Sequence, residues 1–253
     1  MRKIFIAVNY NTSRLIEGWH DSIKKTCEDN VLYVVDNFHS ELERGRVITI
    51  CRSLGIHVLE SENVGYGRAL NKCLSIVKSE HKDCIIVAGN LDVTFLKFPS
   101  DLPVGNYVYV CKAMEGSKDR NPFLTTLQSK FLFLHKFSMS FDNIFILTAV
   151  TFLIKIAGIF PSKLWAVHGS AFCFNSSLLS DINIFNDNTF LYSEELEFAS
   201  YVEHISKSEF KLIDITYQHE AHAATSSIIK KKRDFLAIWK PGFANWQKRW
   251  SHK

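Results

Sequence analysis

Five short stretches place polar side chains where chemistry could use them. Asp36 and Asn37 close the apolar run Val31–Val35 and open the turn Asp36-Asn37-Phe38-His39-Ser40. A carboxylate there can accept a base or ribose hydrogen bond from a nucleotide, although Asp and Asn are also ordinary turn residues. In Ser61-Glu62-Asn63-Val64-Gly65-Tyr66-Gly67-Arg68-Ala69, two glycines precede a helical pattern. Backbone can approach a ligand closely at such a loop, and the helix start offers free N–H groups to an anion. Arg68 would add a charge for phosphate, but the spacing is neither a P-loop nor a dinucleotide fingerprint. Asn90-Leu91-Asp92 follows the apolar run Cys84–Val87. Asp92 there can hold a divalent cation between two phosphates, or simply end a strand.

Ser193-Glu194-Glu195-Leu196-Glu197 opens a helix whose apolar face is Phe198, Ala199, Val202 and Ile205. Glu195 precedes three of these at helical spacing, so it shares the inward face. Glu194, Glu197 and Tyr201 fall on another side, where a first-turn Glu is an ordinary partner of the helix dipole. Inward placement favours a functional Glu195 and a structural Glu194. Finally, Ile213–Tyr217 leads into Gln218-His219-Glu220-Ala221-His222. His219 and His222 could share a metal, or be satisfied turn or core residues. No Ser-His-Asp or Cys-His arrangement is supported locally.

These side chains need elements to hold them. Ile4–Val8, Val31–Val35, His57–Leu59 and Cys84–Val87 read as buried strands. Leu15–Cys27, Leu42–Cys51 and the face Ala69, Leu70, Cys73, Leu74, Val77 read as intervening helices. Alternating strand and helix predicts a mostly parallel central sheet flanked by helices, an α/β fold with a Rossmann-like half. Ligands bind such sheets at the carboxyl ends of strands, where Asn9, Asp36 and Asn90–Asp92 fall.

The chain has 253 residues, 47% hydrophobic, which excludes a disordered chain and allows a large core. A net charge of only +4 gives no whole-molecule field for nucleic acid. The six cysteines are scattered without a C-x-x-C pair, so reduced thiols in a cytoplasmic protein are expected. The run after Met-Arg-Lys is too short for a signal peptide.

The middle is apolar. Ile144–Ile154 carries only Thr for polarity, and Lys155 interrupts it. A spanning helix needs about 20 such residues, which leaves a buried helix or one lying on a membrane. The C-terminal stretch interleaves Lys230, Lys231, Lys232, Arg233, Lys240, Lys248 and Arg249 with Trp239, Trp246 and Trp250. That suits an anionic lipid surface or a solvated tail with a few packed aromatics.

In order along the chain, Ala7–Asn11, Val34–Ser40, Glu62–Asn71, Gly89–Val93, His168–Phe172, Phe190–Glu197 and His219 resemble family-2 glycosyltransferases of the GT-A fold. The branch they are most similar to is the rhamnosyltransferase-like one of bacterial surface-polysaccharide synthesis. The likeness covers 4–98 and 165–226. It implies one domain with a nucleotide-sugar half (1–98), an apolar helical insertion (99–164), an acceptor and catalytic half (165–226) and a basic aromatic tail (227–253).

The resemblance implies roles. Asn9, Asp36, Asn63, Gly65, Gly67, Arg68, Asn90 and Asp92 would bind donor, with Asp36 on the base. Asp92 would hold Mg²⁺ or Mn²⁺ on the diphosphate, joined by His219. Gly169, Ser170 and Glu194 would meet the acceptor. Glu195 stands where the family has Asp in a Glu-Asp-x-Asp stretch, and Glu197 replaces the second Asp. The implied reaction is an inverting transfer from a nucleotide sugar, dTDP-L-rhamnose or a UDP-hexose, with Glu195 as base. The implied acceptor is a growing glycan, lipid-linked through polyprenyl diphosphate at the inner leaflet, with the enzyme on the cytoplasmic membrane face. Two other classes remain: a non-catalytic membrane-associated binding protein on a degenerate transferase fold, and a sugar nucleotidyltransferase. The second needs a Gly-rich basic loop after the first strand, which Asn9–Ser13 lacks.

Overall fold

The computed structural model describes residues 1–250 except 39, 133, 135–143 and 221–231. Strand β1 (Lys3–Asn9) is buried along its whole length. Its side chains alternate: Ile4, Ile6 and Val8 enter one core, and Phe5 and Ala7 the other. A strand covered on both faces must be apolar throughout, and this one nearly is. It lies between β2 (Asn30–Phe38) and β4 (Ile85–Asn90), parallel to both, and β3 (His57–Glu62) extends the same sheet in parallel beyond β2.

The crossovers are helices α1 (Ile16–Thr26), α2 (Glu41–Leu54) and α3 (Tyr66–Glu80). Ser40 caps α2, its hydroxyl accepting from the Glu43 N–H at 3.3 Å. Ile16, Trp19 and Ile23 of α1 and Val47 and Cys51 of α2 cover one face of the sheet. Ala69, Leu70, Cys73, Leu74 and Val77 of α3 cover the other, as their spacing predicts.

Past β4 the sheet becomes mixed. Strand β10 (Ala171–Asn175) pairs antiparallel with both β4 and β6 (Tyr107–Glu115). β6 runs parallel to β11 (Glu209–His219), which carries β5 (Val93–Lys97) antiparallel at the edge. The order is β3-β2-β1-β4-β10-β6-β11-β5, with β7 (Lys118–Asp119) on β6. A separate two-stranded sheet joins β8 (Leu124–Thr125) to β9 (Leu164–Ala166). The result is the expected α/β fold, with antiparallel β10 driven into its middle.

A third core lies beside this sheet. Helix α4 (Thr126–Lys130) starts at a capping box between Thr125 and Gln128. Val150 and Ile154 of α5 (Ile144–Ala157) pack with Trp165, with Leu196 and Ala199 of α6 (Glu194–Tyr201), and with Phe243 of α7 (Lys232–Trp250). No described helix is long and apolar enough to cross a membrane. The expected aromatic tail is instead a docked helix in its described part. Phe243 and Trp250 are buried, and Trp246 Nε1 donates to Ser200 Oγ at 2.8 Å. Lys230 and Lys231 of the expected lipid-facing cluster lie outside the described residues, as does His222.

Candidate active site

The carboxyl ends of β1, β2 and β4 meet at one cavity of about 280 Å³. Asn63, Gly65, Asn90, Asp92, Gly169, Ser170, Glu194, Glu195 and His219 all line it. Asn9, Asp36, Gly67 and Arg68 are not among the lining residues.

Asn9 and Asp36 lie behind the wall, both fully buried. Asn9 Nδ2 donates to Asp36 Oδ1 at 2.8 Å, while Asn9 Oδ1 accepts from the Thr12 N–H at 3.1 Å and the Thr12 hydroxyl at 3.0 Å. Asp36 Oδ2 is buried without a hydrogen-bond partner, and burial raises the Asp36 pKa despite the bond from Asn9. The wall itself is Asn37, whose side chain accepts from the Val64 N–H and donates to Asn63 Oδ1 at 3.1 Å. Arg68 is exposed and points its charge elsewhere than into the described cavity. Gly67 serves packing, since a Cβ there would stand 2.8 Å from the Phe185 side chain.

Gly65 caps α3 at φ +91, and a Cβ there would meet Phe190 O at 2.5 Å. Only glycine accepts both constraints. The loop it touches, Phe190-Leu191-Tyr192, lines the cavity as well. Tyr192 and Ser193 then take φ +67 and +76, a left-handed conformation costly for non-glycine residues. That turn leads into α6, whose first two residues line the cavity.

Glu194 was expected to face away from Glu195; instead both line the same cavity. Glu194 is buried, one of its carboxylate oxygens has no partner, and its pKa is pushed up to about 8. Burial is the main cause, and the Glu195 charge adds to it. Helical spacing misleads here because the cavity lies at the start of α6, where adjacent residues on different sides of the helix both border it. Burial also raises Glu195, offset by its own N–H, the Gly169 N–H and the charge of His219. Gly169 leaves room for this carboxylate, because a Cβ would stand 2.5 Å from Glu195 Oε1. Glu197 turns away. Its Oε2 accepts from Arg249 Nη1 at 2.9 Å and Trp250 Nε1 at 2.8 Å.

Glu115, His168 and His219 offer ligand atoms within 4.8 Å of one another. His219 Nδ1 lies 3.1 Å from Glu115 Oε1, and its Nε2 lies 3.4 Å from Asp92 Oδ1. Asp92 Oδ1 is buried without a hydrogen-bond partner. Burial pulls the His219 pKa down, but the Asp92 and Glu115 carboxylates outweigh it and the net shift is upward. His168 is pushed down to about 4 by burial and the neighbouring His219, which keeps its ring neutral and ligand-competent. Its Nδ1 lies 2.8 Å from Ser170 Oγ, which donates to the Tyr217 hydroxyl at 3.0 Å. That outer contact leaves Nε2 facing Glu115 at 3.7 Å.

Of the residues gathered here, the sequence singled out Asp92 and His219 for a metal, while Glu115 was not singled out and His168 was not read as a metal ligand. Glu115 ends β6, inside a stretch without recognisable motifs. Its one available signal was a carboxylate closing an apolar strand, the same signal that singled out Asp92.

Comparison with known proteins bears on the fold. No protein-family model matches the chain, and no curated protein sequence matches it. Solved structures do. Glucosyl-3-phosphoglycerate synthase from Mycobacterium tuberculosis, in complex with Mn²⁺, UDP and glucosyl-3-phosphoglycerate, matches at TM-score 0.57 and 14% identity, over 99% of this chain and 80% of its own. Mannosyltransferase PcManGT from Pyrobaculum calidifontis, in complex with GDP-Man and Mn²⁺, matches at 0.54 and 16%, over 91% of this chain and 58% of its own. TarS from S. aureus matches at 0.54 and 12%, over 94% of this chain and 38% of its own. This chain therefore has the fold of these glycosyltransferases, and spans well under half of TarS.

Proposed function

We propose that this protein is a metal-dependent glycosyltransferase that moves a sugar from a nucleoside-diphosphate donor to an acceptor hydroxyl with inversion. One observation carries the reading. Two carboxylates at a helix start, Glu194 and Glu195, line one cavity with a cation-competent cluster, Glu115, His168 and His219, and with Asp92, 3.4 Å from His219, at the carboxyl ends of parallel strands. The fold shared with three glycosyltransferases supports it.

The donor set fits a hard divalent cation. It offers carboxylate and imidazole ligands, and Asp92 Oδ1 is a buried acceptor whose nearest charged neighbour is His219 Nε2 at 3.4 Å, with no hydrogen bond of its own. Bound Mg²⁺ or Mn²⁺ would neutralise charge building on the leaving nucleoside diphosphate. The chain's own residues do the rest. The half formed by 1–98 holds the nucleotide, with Asn37 and Asn63 at the wall and Asn9 and Asp36 buried behind it. The half formed by 165–226 presents the acceptor beside Gly169, Ser170 and Glu194. Glu195 takes the proton of the acceptor hydroxyl as its oxygen attacks the anomeric carbon. The bond from that carbon to the diphosphate oxygen breaks, and the nucleoside diphosphate departs with the electron pair. A carboxylate with a raised pKa holds a proton better than a solvated one, so burial suits Glu195 to this task.

Within this reading, dTDP-L-rhamnose and UDP-hexoses are the donors of first choice, and a sugar on polyprenyl diphosphate is the acceptor. The test is a panel of nucleotide sugars with Mn²⁺ or Mg²⁺ and a lipid-diphosphate acceptor. Metal-dependent release of nucleoside diphosphate with a new glycosidic bond is expected. Nucleotide binding without turnover of any donor, across acceptors, would instead favour the non-catalytic binding protein.

A further inference from the structure

Helix α5 carries two apolar stripes, and only one of them is used inside the protein. Val150 and Ile154 face the core, and Gln128 Nε2 donates to Ile154 O at 3.1 Å to hold the helix there. Phe152, Leu153, Ile159 and Phe160 face outward at 62%, 50%, 78% and 57% exposure. Phe152 and Leu153 align with Ile156 at helical spacings of four and three residues, so they form a short ridge on α5, and the exposed Ile159 and Phe160 follow just past the helix end. Lys155, Lys163 and Lys130 are exposed in the same region. Between 121 and 163 the sequence holds four lysines and a single acidic residue, Asp142.

We propose that this ridge is a docking surface for an anionic lipid bilayer, with α5 lying in the plane of the interface. No described helix is long and apolar enough to cross a membrane, and the described α5, 14 residues at 1.5 Å rise, is about 21 Å long. Large apolar side chains ringed by lysine stems match an interfacial helix, whose bulky residues enter the acyl boundary while ammonium groups stay at the headgroups. Charge complementarity points to anionic lipid, since Lys130, Lys155 and Lys163 are all exposed in the region of the apolar ridge. The inner stripe packs on Leu196 and Ala199 of the helix that bears Glu194 and Glu195, so binding at α5 would bring the catalytic helix close to the membrane. The proposal stands on the exposed surface and holds whatever donor the cavity takes.

The experiment is flotation of the full chain with phosphatidylcholine vesicles containing phosphatidylglycerol, and with phosphatidylcholine alone. The wild type should float with the anionic vesicles at low salt and release as salt rises. The exposed variants Phe152→Ser with Leu153→Ser, and separately Lys155→Glu with Lys163→Glu, should each lower the partition coefficient about tenfold or more while unfolding as the wild type does. Absence of wild-type flotation would overturn the proposal. So would serine variants that float as well as wild type, which would place binding elsewhere on the chain. A concentration-dependent dimer in light scattering, abolished by the same serine pair and competing with vesicles for the ridge, would assign it to a second copy instead.

Discussion

Glu195 owes its place to Gly169. A Cβ at that position would collide with the far end of the Glu195 side chain, which can swing away, so Gly169→Ala should fold normally and lose turnover. Activity and thermal unfolding measured together check this; a variant that melts well below wild type would mean the glycine serves packing instead. Glu194 is a different case. Its pKa rises from the ordinary 4.5 to about 8 in the folded chain because it is buried beside Glu195. The folded state therefore holds a proton that the unfolded state releases, and stability falls as pH rises between about 4.5 and 8. Glu194→Gln should accordingly raise the melting temperature more at pH 8 than at pH 5. An equal shift at both would contradict the buried, protonated Glu194. For Glu195 the pKa is also raised, so the acidic limb of kcat/KM should lie above the usual carboxylate range. The residue types at this site were legible from the chain, but their facing was not. The i, i+3 and i, i+4 rule sorts residues by the side of the helix they occupy, whereas this cavity lies against the start of α6 and takes residues from more than one side.

At the scale of elements, α7 ties the pocket together from outside. Arg249 donates to Ile184 O at 3.1 Å and to Glu197, Asn245 Nδ2 donates to Asn188 O at 2.8 Å, and Trp246 reaches Ser200. These contacts grip both the 183–192 loop, which supplies Phe190, Leu191 and Tyr192 to the cavity, and helix α6. Glu197, the fourth residue of the Glu-Glu-x-Glu stretch, is thus a fastening for α7. Arg249→Met leaves the Glu197 carboxylate with Trp250 alone and should cost about 3–5 kcal/mol, as removal of one partner of a buried pair does. Adding Glu197→Gln should recover part of that loss in denaturant unfolding; strict additivity would show that the pair is not coupled. The first four strands and three helices could be read from period and apolar runs because each is local. Strand β10 could not be placed between β4 and β6, because its paired residues are 82–90 and 64–66 positions distant and no local pattern encodes them. The C-terminal Trp and Lys interleaving was equally compatible with lipid, and docking was decided by which aromatic stripe finds a groove.

For the molecule as a whole, the account joins two halves across one cavity: a cation cluster from the ends of β4, β6, β11 and the loop before β10, and a carboxylate pair from α6. Asp92→Ala or His219→Ala should weaken Mn²⁺-dependent nucleotide binding, and excess chelator should stop transfer. Full activity in chelator would leave charge neutralisation to other groups. The central claim is that Glu195 is the base of a sugar transfer, and one comparison tests it most directly. Wild type and Glu195→Gln are supplied with the donor found in the nucleotide-sugar panel, and both nucleotide affinity and the rate of glycoside formation are measured. The account predicts unchanged affinity and a rate lower by roughly 10²–10⁴. A variant that turns over at the wild-type rate would contradict it.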